Sequence, residues 1–208
     1  MSRACALVLI VLLWPVNSPA AEDTPPRRDP QAAEDYRRGT ELGERGDHAG
    51  AIAAYAAALQ RDPSWLDARN DLGVEYYLNG DPRRAAEELR AVLEHDATRG
   101  PVHTNLAFAL YDLGQLDAAV TEWQKALDQG ANVADTYAGL ALGLFKQGKI
   151  QEAIRTYRVA IERDPHYAQL DYLESGSAGW SRHAIGDAAA LVRAAQRTPS
   201  APPAATPS

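Results

Sequence analysis

Apolar positions along this chain fall into short helical registers that break at fixed places. Leu106, Leu110 and Leu113 lie at i, i+4 and i+7, one face of an α-helix. That stretch stops at Gly114, and a second one follows with Ala119, Trp123 and Ala126. The pair of stretches recurs with a period of 34 residues. The glycines are Gly46, Gly80, Gly114 and Gly148, and the small residues after them are Ala51, Ala85, Ala119 and Ala153. The large residues Tyr55, Leu89, Trp123 and Tyr157 come next, then Ala58, Val92, Ala126 and Ala160. Self-similarity of this length predicts stacked supersecondary units instead of one globular core.

Each unit reads as an αα-hairpin, two helices of about 13 residues joined by a short turn. The first helix should stop at the periodic glycine, which takes a left-handed conformation without a Cβ penalty. Asp47, Asp81 and Asp117 follow as expected caps of the second helix. Asp62-Pro63, Gly100-Pro101, Gly130 and Asp164-Pro165 are the expected stops of the second helices. Small residues at Gly39, Gly73, Ala107 and Ala141 let the two helices of a hairpin approach closely, and the large residues fill the space between. A single hairpin cannot bury its apolar face, so stacking must supply the core.

With these residues in view the chain resembles the tetratricopeptide repeat (TPR) family. The second unit reads Leu72-Gly73-x-x-Tyr76, then Ala85-x-x-x-Leu89. The fourth reads Tyr137-x-x-Leu140-Ala141-x-x-Leu144, then Ala153-x-x-x-Tyr157, ending at Pro165. Asp35 and Arg38 depart from the pattern in the first unit, as suits a solvent-facing end, and Ala97 and Ala131 replace the terminal proline. The resemblance implies an all-α, right-handed superhelical solenoid of four hairpins, 32–65, 66–99, 100–133 and 134–167. After Pro165 the period fails. Residues 168–197 are expected to form a divergent helical cap over the last repeat, with Trp180, Ala184, Ala188, Leu191 and Ala195 on one face.

The ends differ in composition. Arg3 precedes an unbroken apolar run from Ala4 to Trp14, and Ser18-Pro19-Ala20 forms a small-x-small cleavage site. The run is shorter than the roughly 20 residues that span a bilayer. Residues 1–20 are therefore expected to be a signal peptide cleaved after Ala20, with a retained membrane anchor as the alternative. That predicts export, to the periplasm of a Gram-negative bacterium, and no membrane insertion after cleavage. Met1 and Cys5 are the only methionine and cysteine, so the mature chain would carry no thiol chemistry. Residues 21–31 read as a flexible linker and 198–208 as a disordered tail.

Charge and motifs narrow the function. Without residues 1–20 the chain has 20 basic and 28 acidic residues, a net charge of −8, which gives nucleic acid no basic face. The five histidines fall in different units without metal-ligand spacing, and no phosphate loop or nucleophile elbow occurs. No catalytic residue and no cofactor is expected. The resemblance implies that the first helices line a concave face and that a protein or peptide segment binds there. Val74 and Tyr77, Phe108 and Tyr111, and Leu142 and Phe145 recur at the period and are expected to align as an apolar ladder. The alternative for Phe108 and Phe145 is packing against adjacent helices. Tyr36, Asn70, Thr104 and Asn105 would add hydrogen bonds along the same groove. Asp71, Val74, Asp135 and Gly139 stand where TPR domains that grip acidic chaperone tails carry basic or amide groups, so that clamp is absent. The expected function is a scaffold or adaptor in the assembly or operation of an envelope complex. A self-associating structural subunit and a non-catalytic accessory unit of an envelope enzyme are the alternatives.

Overall fold

The computed structural model describes residues 28–175 and 179–197. The expected signal peptide, most of the linker and the 198–208 tail lie outside the described residues. Ten α-helices follow one another among those residues. They are α1 (Pro30–Glu44), α2 (His48–Arg61), α3 (Leu66–Leu78), α4 (Pro82–His95), α5 (Gly100–Asp112), α6 (Leu116–Asp128), α7 (Ala134–Lys146), α8 (Ile150–Arg163), α9 (Leu170–Glu174) and α10 (Arg182–Arg197). A 3-10 turn, Pro165–Ala168, joins α8 to α9. The first eight pack as four consecutive hairpins, each stacked on the next. The molecule is an all-α solenoid.

The same backbone device ends the first helix of every hairpin. Gly46, at φ +77°, lets the Asp47 N–H reach back to the Leu42 carbonyl at 2.9 Å, the six-to-one bond that closes a helix C-terminus. Asp81 to Tyr76, Gln115 to Leu110 and Lys149 to Leu144 repeat the bond at 2.8, 2.9 and 3.0 Å. The Asp47 and Asp81 side chains then cap α2 and α4, accepting from the Gly50 and Arg84 N–H groups.

Three local expectations are corrected. Asp117 lies inside the first turn of α6, behind Gln115 at the N-cap, so it makes no cap bond and accepts from Gln147 instead. Gly100-Pro101 opens α5 and does not close α4; proline without an N–H suits a first helical turn. Helix α1 starts inside the expected linker, because Asp29 accepts from the Gln31 and Ala32 N–H groups and Pro30 sits at N1.

Large residues meet small ones across the hairpins. A Cβ on Gly39 would lie 2.7 Å from the Tyr55 ring, and one on Gly73 2.8 Å from Leu89 Cγ. The fully buried Trp123 indole occupies the space that Gly139 leaves on α7, so it joins the third hairpin to the fourth. One continuous core runs from Ala85 to Ala195, while Ala51, Tyr55 and Leu72 form a separate cluster near the N-terminus. Each fully buried aliphatic of this core, such as Leu89, contributes roughly 1.5–3 kcal/mol.

The C-terminal segment does more than end the stack. Leu191, Val192 and Ala195 of α10 are buried, and the helix packs on α8 and α7. Its N-terminal end continues onto α5, so the segment crosses from the last hairpin to the third.

Candidate functional site

Helices α1, α3, α5 and α7 are joined across one face by polar contacts at intervals close to the repeat period. The Tyr36 hydroxyl donates to Asp71 at 2.6 Å, Asn70 Nδ2 to Asp71 at 3.0 Å, and Asn105 Nδ2 to Asn70 at 3.2 Å. Thr104 and Thr136 share a buried hydroxyl pair at 2.9 Å. Tyr36 also stacks on Trp65, with centroids 4.4 Å apart. Burial first, then the Asp71 hydrogen bond, raises its hydroxyl above the usual phenol range.

Beside this ladder lies a cleft of about 290 Å³. Val74, Tyr77 and Leu78 of α3 form one wall, and Thr104, Asn105 and Phe108 of α5 the next. Val133, at 53% the most exposed of the large apolar residues among those described, and Asp135 approach from the start of α7. Gly179 and Trp180 close the remaining side.

The expected open ladder is largely covered. Tyr111 is 2% exposed, Phe108 6% and Leu142 0%, and Phe145 is partly buried in the same core. An apolar stripe left in water is costly, and this chain covers its own. Trp180 packs on Phe108 with centroids 5.5 Å apart and on Tyr167 at 5.7 Å. The Ser181 N–H donates to the Tyr77 hydroxyl at 3.0 Å, and Ser181 Oγ to Asp112 at 2.8 Å. His183 stacks on Tyr111, whose hydroxyl donates to Asp187 at 2.6 Å. Lys146 donates to the same carboxylate at 3.1 Å. Of the residues expected in the groove, Val74, Tyr77, Thr104, Asn105 and Phe108 line the cleft. Tyr36 and Asn70 belong to the polar ladder; Tyr111 lies beneath the C-terminal segment, and Leu142 and Phe145 pack into the continuous core.

Sequence reasoning missed Ser181, Asp112 and Asp187 on this face, and it placed Trp180 only on the cap. The sequence carried a signal in the small residues Ala184 and Ala188, four apart after Trp180, which permit a close helix approach. Electrostatically the face is acidic. Burial pushes the Asp135 carboxyl up, while the Tyr167 hydroxyl and Trp180 indole pull it partly back. Burial also acts upward on Asp187, but Tyr111 and Lys146 outweigh it and hold that carboxyl below its ordinary range. Burial, then the Asp112 charge, raises the Tyr77 hydroxyl. Among the described residues no lysine or arginine pairs with Asp71, Asp112 or Asp135.

His103 shows the structural use of a histidine here. It is buried, with Nδ1 2.5 Å from Glu122 and Nε2 3.0 Å from the Ala97 carbonyl, both acceptors. It ties the start of α5 to α6 and to the preceding loop.

Tetratricopeptide repeat models match residues 36–101 and 138–204, and a second such model matches 76–143. The chain belongs to the tetratricopeptide repeat family. Solved structures agree on the fold of this TPR array. A MamA protein is 24% identical with a TM-score of 0.59, covering 83% of this chain and 98% of its own. TTC0263, a thermophilic TPR protein of Thermus thermophilus, is 17% identical with a TM-score of 0.61, covering 80% and 92%. The first TPR of Spaghetti (RPAP3), solved with the HSP90 peptide SRMEEVD, is 14% identical with a TM-score of 0.55, covering 57% and 94%. No curated protein matches the chain in sequence. Among the described residues no helix of the array is long and apolar enough to cross a membrane.

Proposed function

We propose that this TPR array is an exported scaffold or adaptor that holds a segment of a protein partner in its concave cleft. The observation that carries the reading is the cleft itself, apolar on Val74, Tyr77 and Phe108, with an exposed Val133 at its mouth. A concave apolar site with a few convergent polar groups is the usual form of a binding site. Asn105 spends its Nδ2 on Asn70, which leaves its carbonyl oxygen for a ligand's backbone N–H. The array supplies binding and orientation.

Charge selects the ligand. The HSP90 peptide held by the Spaghetti TPR ends in Glu-Glu-Val-Asp. A face carrying Asp71, Asp112 and Asp135 would repel such a tail, and like charges brought together cost several kcal/mol, about enough to reject it. The apolar run at Ala4–Trp14 and the Ser18-Pro19-Ala20 site support export to the periplasm, and an envelope complex as the place of work.

Photo-crosslinking in cells from position 133, with the outer-face position 90 as control, tests the reading. Adducts to a distinct envelope protein from 133 alone are expected. Equal labelling from both positions, or adducts only to a second copy, would replace the adaptor by a self-associating subunit. Mass spectrometry of the purified protein should find an N-terminus at Ala21.

A further inference from the structure

Residues 179–187 lie across the acceptor face in the manner of a ligand. Trp180 is an anchor: it is 6% exposed, wedged between Phe108 and Tyr167, and it forms a wall of the cleft. Directly after it Ser181 bonds to Tyr77 and Asp112, and His183 faces Asp112 at 3.3 Å and Asp187 at 3.4 Å. The segment is a large aromatic followed by a hydroxyl and two basic residues, Trp-Ser-Arg-His, on a face where Asp71, Asp112 and Asp135 have no lysine or arginine partner among the described residues.

Its attachment is divided. The body of α10 is held by Leu191, Val192 and Ala195, all buried against the last hairpin. The 179–187 end has Trp180 and the small Ala184 as its buried apolar side chains, and its other ties are hydrogen bonds, ion pairs and a ring stack that water or another peptide can replace. This end can leave the face while the rest of the helix stays docked. The cleft adjoins the Trp180 seat, so an incoming side chain has a place to start.

Building on the concave-face reading above, we propose that residues 179–187 are a built-in pseudo-ligand, and that the partner is a protein segment of the same chemistry, a large aromatic anchor followed by basic residues, which binds by displacing them. A tethered segment competes at an effective concentration on the order of millimolar. The resting array is therefore closed to weak ligands and opens to those that fit the Trp180 seat.

The test uses the whole protein and a labelled synthetic peptide with the sequence of residues 179–187. Fluorescence anisotropy should show the peptide binding the Trp180→Ala variant at least tenfold more tightly than the parent. Ser181→Ala keeps the buried anchor and removes only the bond to Asp112 and the turn bond to the Ala184 N–H. It should bind at least threefold more tightly than the parent, and it stands as the test if Trp180→Ala does not fold. In the parent, saturating peptide should speed amide hydrogen exchange at 181–187. A peptide with alanine for tryptophan, or with glutamates for arginine and histidine, should do neither. Equal affinity for parent and variants, or equal binding of the altered peptides, would overturn the proposal. Crosslinking from position 133 that succeeds beside such a result would leave the groove reading intact and remove only the pseudo-ligand.

Discussion

Tyr111 and Asp187 stand 76 positions apart in the chain and meet at 2.6 Å, hydroxyl to carboxylate, across the concave face. The contact joins the third hairpin to the C-terminal helix, skipping the fourth. Tyr111→Phe removes one bond to a charged acceptor and keeps the ring stack on His183. The docking of α10 should weaken by about 1–2 kcal/mol. Hydrogen exchange at 182–188 should quicken while α3 and α4 keep parental rates. Unchanged exchange in α10 would mean that the bond holds nothing.

Acid should release the same contact. The Asp187 carboxyl titrates below its ordinary range in the folded protein, so its ionised form favours the docked state. That contribution is complete above the unfolded value of about 4 and is lost as pH falls through the folded one. Exchange at 182–188, expressed relative to its intrinsic rate at each pH, should therefore rise below about pH 4 in the parent. In Asp187→Asn it should start higher and lack that step. A step of equal size in the variant would assign the transition to another carboxylate.

The array itself is legible in the sequence because its physics is local. Glycine at a helix C-terminus, small residues at close approaches and large ones between them obey the period, so four hairpins follow from spacing alone. Phe108, Tyr111 and Leu142 obey it too, which is why they read as an exposed ladder. What covers them does not repeat. Trp180 and Asp187 lie past the last period, and no spacing rule says which earlier residues a non-repeating helix will cross. Asp117 misleads for a smaller reason: Gln115 holds the N-cap position of α6, which leaves the aspartate inside the first turn.

Ala119 tests the hairpin packing. It is fully buried in α6, so Ala119→Asp places an unpaired carboxylate inside the stack. The loss should be about 3 kcal/mol or more, read as a large fall in Tm by circular dichroism. A variant melting with the parent would contradict the close pairing of α5 and α6.

Gly139 tests the joint between hairpins. A methyl group there would overlap the rigid indole of Trp123. Gly139→Ala gains about 1 kcal/mol in helix preference and loses roughly 1–3 kcal/mol to overpacking. Urea unfolding should show a net loss, and Trp123 emission should shift as the ring moves. A more stable variant with unchanged emission would mean that Trp123 does not fill this space.

The bond from Ser181 to Tyr77 closes a span of 104 residues, whereas the hairpins close over a few turns of helix. Such distant contacts form slowly beside local ones. The α3 and α5 walls of the acceptor face rest on local hairpin contacts, so they form before residues 179–187 dock on them. The folding array is thus open before it is stoppered, and a partner present in that interval meets no competitor.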